Sequence, residues 1–155
     1  AVVELTALHA QIMAYEVARN LVYEQQQHET LSAHMQSLMS TGLSFPYKEY
    51  IAALQRADTL KQAMLQWFAD SGADFILAPA AAGVAPYKTE GTGAPFMSRA
   101  WQLLGLPVVS LPLGYFQKLP MGLQLIGKPH QDDVLLLQAR QLQQRFLNSS
   151  SVLTA

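Results

Sequence analysis

The chain contains no cysteine. That excludes a disulfide framework, a thiolate nucleophile and a cysteine-ligated zinc. Charge is scarce as well. Only 14% of the 155 residues are Asp, Glu, Lys or Arg, against about 25% in an average soluble domain. Ten basic and eleven acidic residues leave a formal net charge of −1. No basic face for nucleic acid is expected from that balance, and no electrostatic pull toward an anionic membrane. No apolar run reaches the roughly 18–20 residues that span a bilayer, and no basic stretch precedes an apolar core at the start, as a signal peptide would require. The opening Ala1-Val2-Val3, without Met, reads as a chain cut from a longer one or processed. With so little charge to solvate a surface, part of that surface is expected to be covered.

What is present is strongly patterned. Between about Thr6 and His28, Leu8, Ile12, Tyr15 and Val22 fall near helical spacing, and Met13, Val17 and Leu21 add an adjacent stripe. This predicts a largely covered helix with Thr6 as its N-cap. A weaker helical stretch, about Leu31 to Met39, stops before Gly42. Ser44-Phe45-Pro46 starts a further helix, since proline is tolerated in the first turn, and Gly72 ends it. Phe75-Ile76-Leu77-Ala78 reads as a buried strand. From Pro79 to Pro95, glycines and prolines predict a long loop, of the kind that is either functional or disordered. Phe96 to Leu104 is a short helix stopped by Gly105. Val108 to Leu111 and Leu123 to Ile126 are two more strands, joined through Gly114 to Pro120. Asp132 and Asp133 open a last helix with Leu135, Ala139, Leu142 and Phe146 as its stripe. The fold class is therefore α/β, a mixed β-sheet covered by helices. One segment, 1–147, carries it, and 148–155 is expected to be a disordered tail.

Chemistry is harder to find. The four histidines, His9, His28, His34 and His130, show no metal-ligand spacing, so no metal is expected. Asp132 and Asp133 are adjacent and point apart on a helix, which suits capping better than paired acid–base work. Gly91-Thr92-Gly93 is too short for a phosphate cradle, and there is no Walker lysine and no G-x-S-x-G elbow. Ser149-Ser150-Ser151 has neither glycine nor base nearby. No complete catalytic set is visible.

The second half is more telling as a whole. It runs from Trp101 through Gly105, Pro107, Ser110, Pro112 and Gly114, then Leu119-Pro120-Met121-Gly122-Leu123-Gln124-Leu125-Ile126-Gly127, and on to a helix after Asp133. This order closely resembles the C-terminal region of amidase-signature enzymes. His9, Tyr15-Glu16, Tyr50, Asp74, Pro79, Ala85-Pro86 and Thr92-Gly93 fit the same pattern upstream, so the resemblance covers about residues 5 to 147. It implies the C-terminal part of the amidase-signature fold, and a cytoplasmic parent that hydrolyses a carboxamide C–N bond with a serine nucleophile, without a cofactor. In that family a lysine and two serines in a glycine- and serine-rich N-terminal segment do the chemistry. That segment is not among these residues, so no catalytic residue is carried over and the chain alone is expected to be inactive.

The resemblance does carry over a substrate-side wall. Its candidates are Thr92, Gly93 and Trp101, with core packing of the short helix an equal role for Trp101. At residue 80 the family often has Thr or Ser, and this chain has Ala80. The partner implied is a small-molecule amide, bound together with the missing N-terminal part. A homo-oligomer is a further implication of the family, and an exposed apolar patch that makes the isolated chain self-associate follows from the low charge. Two alternatives stand beside this reading: a non-catalytic binding or interaction module that retains the fold segment, and a fragment of the amide-hydrolysing subunit of a tRNA-dependent amidotransferase.

Overall fold

The computed structural model describes residues 2–152. They divide into two compact units, one up to Ala63 and one from Met64 onward.

The first unit is helical. Helix α1 spans Val2–Asn20 and α2 is a single turn at Val22–Gln25. The break at Leu21, with φ −103° and ψ 46°, divides the helix expected to run on to His28. The stretch from Glu24 to Glu29 has almost no apolar side chain to bury, so packing gives it nothing to offset the cost of staying helical. Thr6 is not a cap; it lies inside α1 and its hydroxyl donates to the Val2 carbonyl. The buried face of α1 is Leu5, Ile12, Ala14, Tyr15 and Ala18, while Val22 is exposed.

Helix α3, Ala33–Ser44, is capped by Ser32, whose Oγ accepts from the Met35 N–H. It does not stop before Gly42. That glycine is buried inside it, pressed against the Ala14 backbone of α1. Helix α4, Tyr47–Ser71, starts one residue after Pro46, which was expected inside its first turn, while Ser44 closes α3; it ends at Gly72 as expected, with φ 65°. Its residues up to Ala63 belong to the first unit. There the Tyr50 ring stacks on Tyr15 at 4.1 Å, and its hydroxyl donates to Glu16 Oε1 at 2.9 Å. The Arg19 guanidinium lies 3.4 Å from the Tyr15 ring centroid and donates to the carbonyls of Tyr15 and Gly42.

Arg56 of α4 reaches Glu4 of α1 with two hydrogen bonds, 2.6 and 3.2 Å. The Arg56 hydrogen bond is the main cause holding the Glu4 carboxyl below its ordinary value. A carboxyl lowered in the folded state contributes stability above its unfolded pKa and loses it as pH falls through the folded value. We therefore expect Glu4→Gln to lower the melting temperature at pH 7 only slightly, because both partners are exposed, and the difference from wild type to close in acid. Below about pH 5 the variant should lose less stability than the wild type. Parallel thermal melts from pH 7 to pH 3 at low salt check this, and identical acid profiles would count against the ion pair.

The second unit holds the sheet. Strands β1 (Phe75–Pro79), β2 (Val108–Phe116) and β3 (Leu119–Gly127) form it in the order β1-β3-β2. Strands run in both directions, and both pairings are antiparallel. Side chains alternate between the faces of a strand. Leu125 and its neighbours therefore meet the last helix, α6 (Asp132–Val152), through Leu111, Leu135 and Ala139, with Phe75, Val109 and Leu142 packed alongside. Phe146, expected in the same stripe, is exposed. Gln124 and Ile126 face the other way.

The β2–β3 connection is not the seven-residue link expected from Gly114 to Pro120. The strands run on to a two-residue turn at Gln117 and Lys118, both at positive φ, 51° and 67°, the signature of a type I′ hairpin. Pro112 and Pro120 thus lie within paired strands. Pro112 is tolerated beside a register shift on an edge strand, and Pro120 lies beyond the part of β3 that β1 pairs.

Strand β1 was expected to be covered on both sides, yet Leu77 is 51% exposed. Leu136 and Leu137 of α6 are exposed too. The tail expected from residue 148 is helical as far as Val152, and residues 153–155 lie outside the described residues.

Candidate functional site

The loop between β1 and the short helix α5 (Phe96–Leu104) builds a cavity inside the second unit. Strand β1 ends at Pro79, and the Ala80 N–H still donates to the Gly122 carbonyl at 2.9 Å, one rung past the strand. The chain then leaves the sheet. A single 3₁₀ turn at Lys88–Glu90 is closed by reciprocal hydrogen bonds between Tyr87 and Glu90. Gly91 and Gly93 follow at positive φ, and Pro95 opens α5. Ser98 folds its hydroxyl back onto the Pro95 carbonyl at 3.1 Å. Helix α5 ends at Gly105, as read from the sequence, with the Leu106 N–H bonded to the Trp101 carbonyl.

The cavity measures about 310 Å³ and is lined by Ala80, Ala81, Thr92, Gly93, Ala94, Pro95, Met97 and Ser98. That is at the small end of ligand pockets. No charged side chain lines it. Methyl and methylene groups share the walls with backbone polar groups and with the Thr92 and Ser98 hydroxyls, and Thr92, Gly93, Ala94 and Pro95 are exposed in this chain.

The structure brings Thr92 and Gly93 together on this wall. It places Trp101 elsewhere, 6% exposed and one turn along α5 from Met97, and not among the lining residues. Its indole N–H is buried without a hydrogen-bond partner among the described residues. Ala80, where a hydroxyl residue is common in the resembled pattern, is a lining residue, so the wall has a methyl at that point.

Sequence reasoning missed the residue that ties the cavity together. Gln124 is 3% exposed, and its Nε2 donates to the carbonyls of Pro79 at 2.9 Å and Met97 at 3.0 Å. A lone amide inside the apolar run Leu123–Ile126 was the available signal, because a buried polar group must find partners.

No titratable side chain lines the cavity. Among the described residues no group of three or more His, Cys, Asp or Glu could hold a metal ion. Lys128 sits 4.0 Å from Asp74 and 5.9 Å from the Phe68 ring centroid. The Tyr50 hydroxyl is raised by its hydrogen bond to Glu16. No described helix is long and apolar enough to cross a membrane.

Comparison with known proteins decides the family. The Amidase family model matches residues 3–136. The chain belongs to the amidase family. Among curated relatives, the A subunit of glutamyl-tRNA(Gln) amidotransferase from Bartonella quintana is 38% identical over 109 residues, covering 63% of this chain and 22% of the relative. Its namesake in Fusobacterium nucleatum is 30% identical over 106 residues, with the same two coverages. A crystal structure of an amidase superposes with a TM-score of 0.82 at 24% identity, over 91% of this chain and 35% of that one. The chain thus spans about a fifth of these curated relatives and about a third of the solved amidase. The α/β architecture of helices on an antiparallel sheet is that of the amidase-signature fold.

Proposed function

We propose that this chain is the C-terminal part of an amidase that cleaves a carboxamide C–N bond through an acyl-serine intermediate. The observation that carries the reading is the amidase family match over residues 3–136. In this reading the nucleophilic serine, the bridging serine and the lysine belong to residues outside these 155. The serine attacks the carbonyl carbon after the neighbouring base takes its proton, and the amine leaves with a proton returned to it. Water then hydrolyses the acyl-serine. Backbone N–H groups beside the nucleophile hold the developing oxyanion, and the route uses no cofactor.

This chain supplies binding. Thr92 and Gly93 form one side of the substrate pocket, with Ala80, Ala81 and Met97 around them, and Trp101 packs behind. Uncharged walls accept a neutral part of the amide. The substrate class is a small-molecule amide.

The test is an assay of the whole protein and of the 155-residue chain on simple aliphatic and aryl amides, reading released ammonia or amine. Turnover by the whole protein and none by the chain is expected. Amide cleavage by the chain alone would overturn the division of labour, and an inactive whole protein would overturn the amidase reading.

A second reading draws on the curated relatives, which are named amidotransferase subunits. In it the whole protein releases ammonia as one member of a larger assembly. Amide hydrolysis that appears only with co-purified partner proteins would favour it. Activity of a homo-oligomer, sized by light scattering, would favour the first.

A further inference from the structure

The geometry points to Gln124 as a positioning residue that sets the width of the Ala80–Ser98 cavity, and through it the size of the neutral substituent an amide can place there. The inference rests on the reading of this cavity as a substrate wall.

The cavity has two walls at opposite ends of the loop that joins β1 to α5, with Thr92, Gly93 and Ala94 between them. One is Ala80 and Ala81, immediately after Pro79. The other is Pro95, Met97 and Ser98, the start of α5. The sheet already holds the first wall. The Ala80 N–H is bonded to the Gly122 carbonyl, and a Cβ at Gly122 would lie only 3.2 Å from the Ala80 Cβ, so little slack exists there. The second wall lacks that support: α5 begins at Pro95 without a side-chain cap. Gln124 joins the two. A primary amide has two N–H donors in a planar fork, and here one Nε2 reaches the carbonyls of both Pro79 and Met97 from 45 and 27 residues away. Being buried, the amide has no water to replace those partners, and each carbonyl left unpaired carries a desolvation cost.

A side chain of similar volume without donors, methionine, keeps the packing and removes the tie. The first turn of α5 then keeps its anchor at buried Ala100, Trp101 and Leu104 but loses its tie to the Pro79–Ala80 segment, so it moves more readily relative to Ala80. The cavity loses its fixed width, and a substituent one methylene too long is no longer penalised. The lining has small side chains and one flexible thioether, Met97, so the effect falls on size and not on charge.

The experiment compares wild type, Gln124→Met and Gln124→Asn in the whole protein. Asparagine keeps the amide but is one methylene short. Circular dichroism establishes folding, and the variant that folds is carried forward. Hydrogen exchange by mass spectrometry then reads residues 79–82 and 94–99, with residues 2–20 as the reference. Kinetics are measured on two amide series, lengthened one methylene at a time on the acyl or the amine side. Expected are faster exchange at 94–99 with the reference unchanged, and a loss of about tenfold in the steepest methylene-to-methylene discrimination, carried by KM while kcat is kept. A folded variant with unchanged exchange overturns the clamp. Faster exchange with unchanged discrimination overturns the specificity role. If the wild type cleaves no amide, the amidase reading fails and takes the specificity role with it, and exchange alone judges whether Gln124 ties the walls.

Discussion

Alanine at Gly42 should lower stability by upwards of about 3 kcal/mol. A Cβ there would collide with the Ala14 carbonyl oxygen, lie 2.5 Å from the Ala14 carbonyl carbon, and come within 2.8 Å of the Ala18 methyl. Two of these atoms are backbone of α1 and the third belongs to a buried alanine, so none can swing aside. Helices α1 and α3 must separate, and that disturbs the Arg19 hydrogen bond to the Gly42 carbonyl at 3.0 Å. For a chain of this size the loss corresponds to a fall in melting temperature of roughly 6–12 °C. Gly83→Ala is the control: a Cβ there meets nothing within 4 Å, and its effect should stay within about 0.5 kcal/mol. Thermal melts of both variants decide. Equal melting points for Gly42→Ala and wild type would mean that the two helices do not touch as described.

Leu135→Ala should cost about 2–5 kcal/mol. Leu135 is 2% exposed and joins α6 to Leu111 and Leu125 of the sheet. Its side chain also fills the space over Gly127, where an added Cβ would lie 3.1, 3.2 and 3.3 Å from Leu135 atoms. Alanine at Gly127 alone therefore crowds Leu135 and costs about 1–2 kcal/mol. In the Leu135→Ala background the two Cδ atoms are gone, and the new methyl enters the cavity they leave. The double variant should be more stable than the sum of the singles predicts, by about 1 kcal/mol. A urea-unfolding cycle measures this, and additivity within about 0.5 kcal/mol would remove the contact from the account.

Punctuation made part of this fold legible. Helix α5 matches its expected bounds because Pro95 and Gly105 mark both ends, and α4 is bounded by Pro46 and Gly72 in the same way. The same rules failed where one residue type has two uses. Gly42 reads as a stop, but it serves close packing inside α3. Gln117 and Lys118 make a hairpin turn without the Asn or Gly that usually announces one. Pro112 and Pro120 argue against strands only until the edge position and the register shift are known. At the site, Thr92 and Gly93 were reachable through the resemblance to amidase-signature enzymes. For the clamp, the lone amide in the run Leu123–Ile126 marks Gln124 as a residue that must find partners, but which carbonyls it reaches is a tertiary fact that no local pattern encodes.

The register shift in β2 has a consequence for edge-to-edge aggregation. β2 is an edge strand of the three-stranded sheet formed by the described residues, and a long flat edge is a template on which another chain can zip. Between Pro112 and Gly114 the register slips, and Pro112 has no N–H to offer. The row of donors and acceptors is broken near the middle of the strand, so a second copy cannot extend the ladder along its full length. A chain with so few charges has little electrostatic repulsion to keep copies apart, and here the backbone supplies part of that protection.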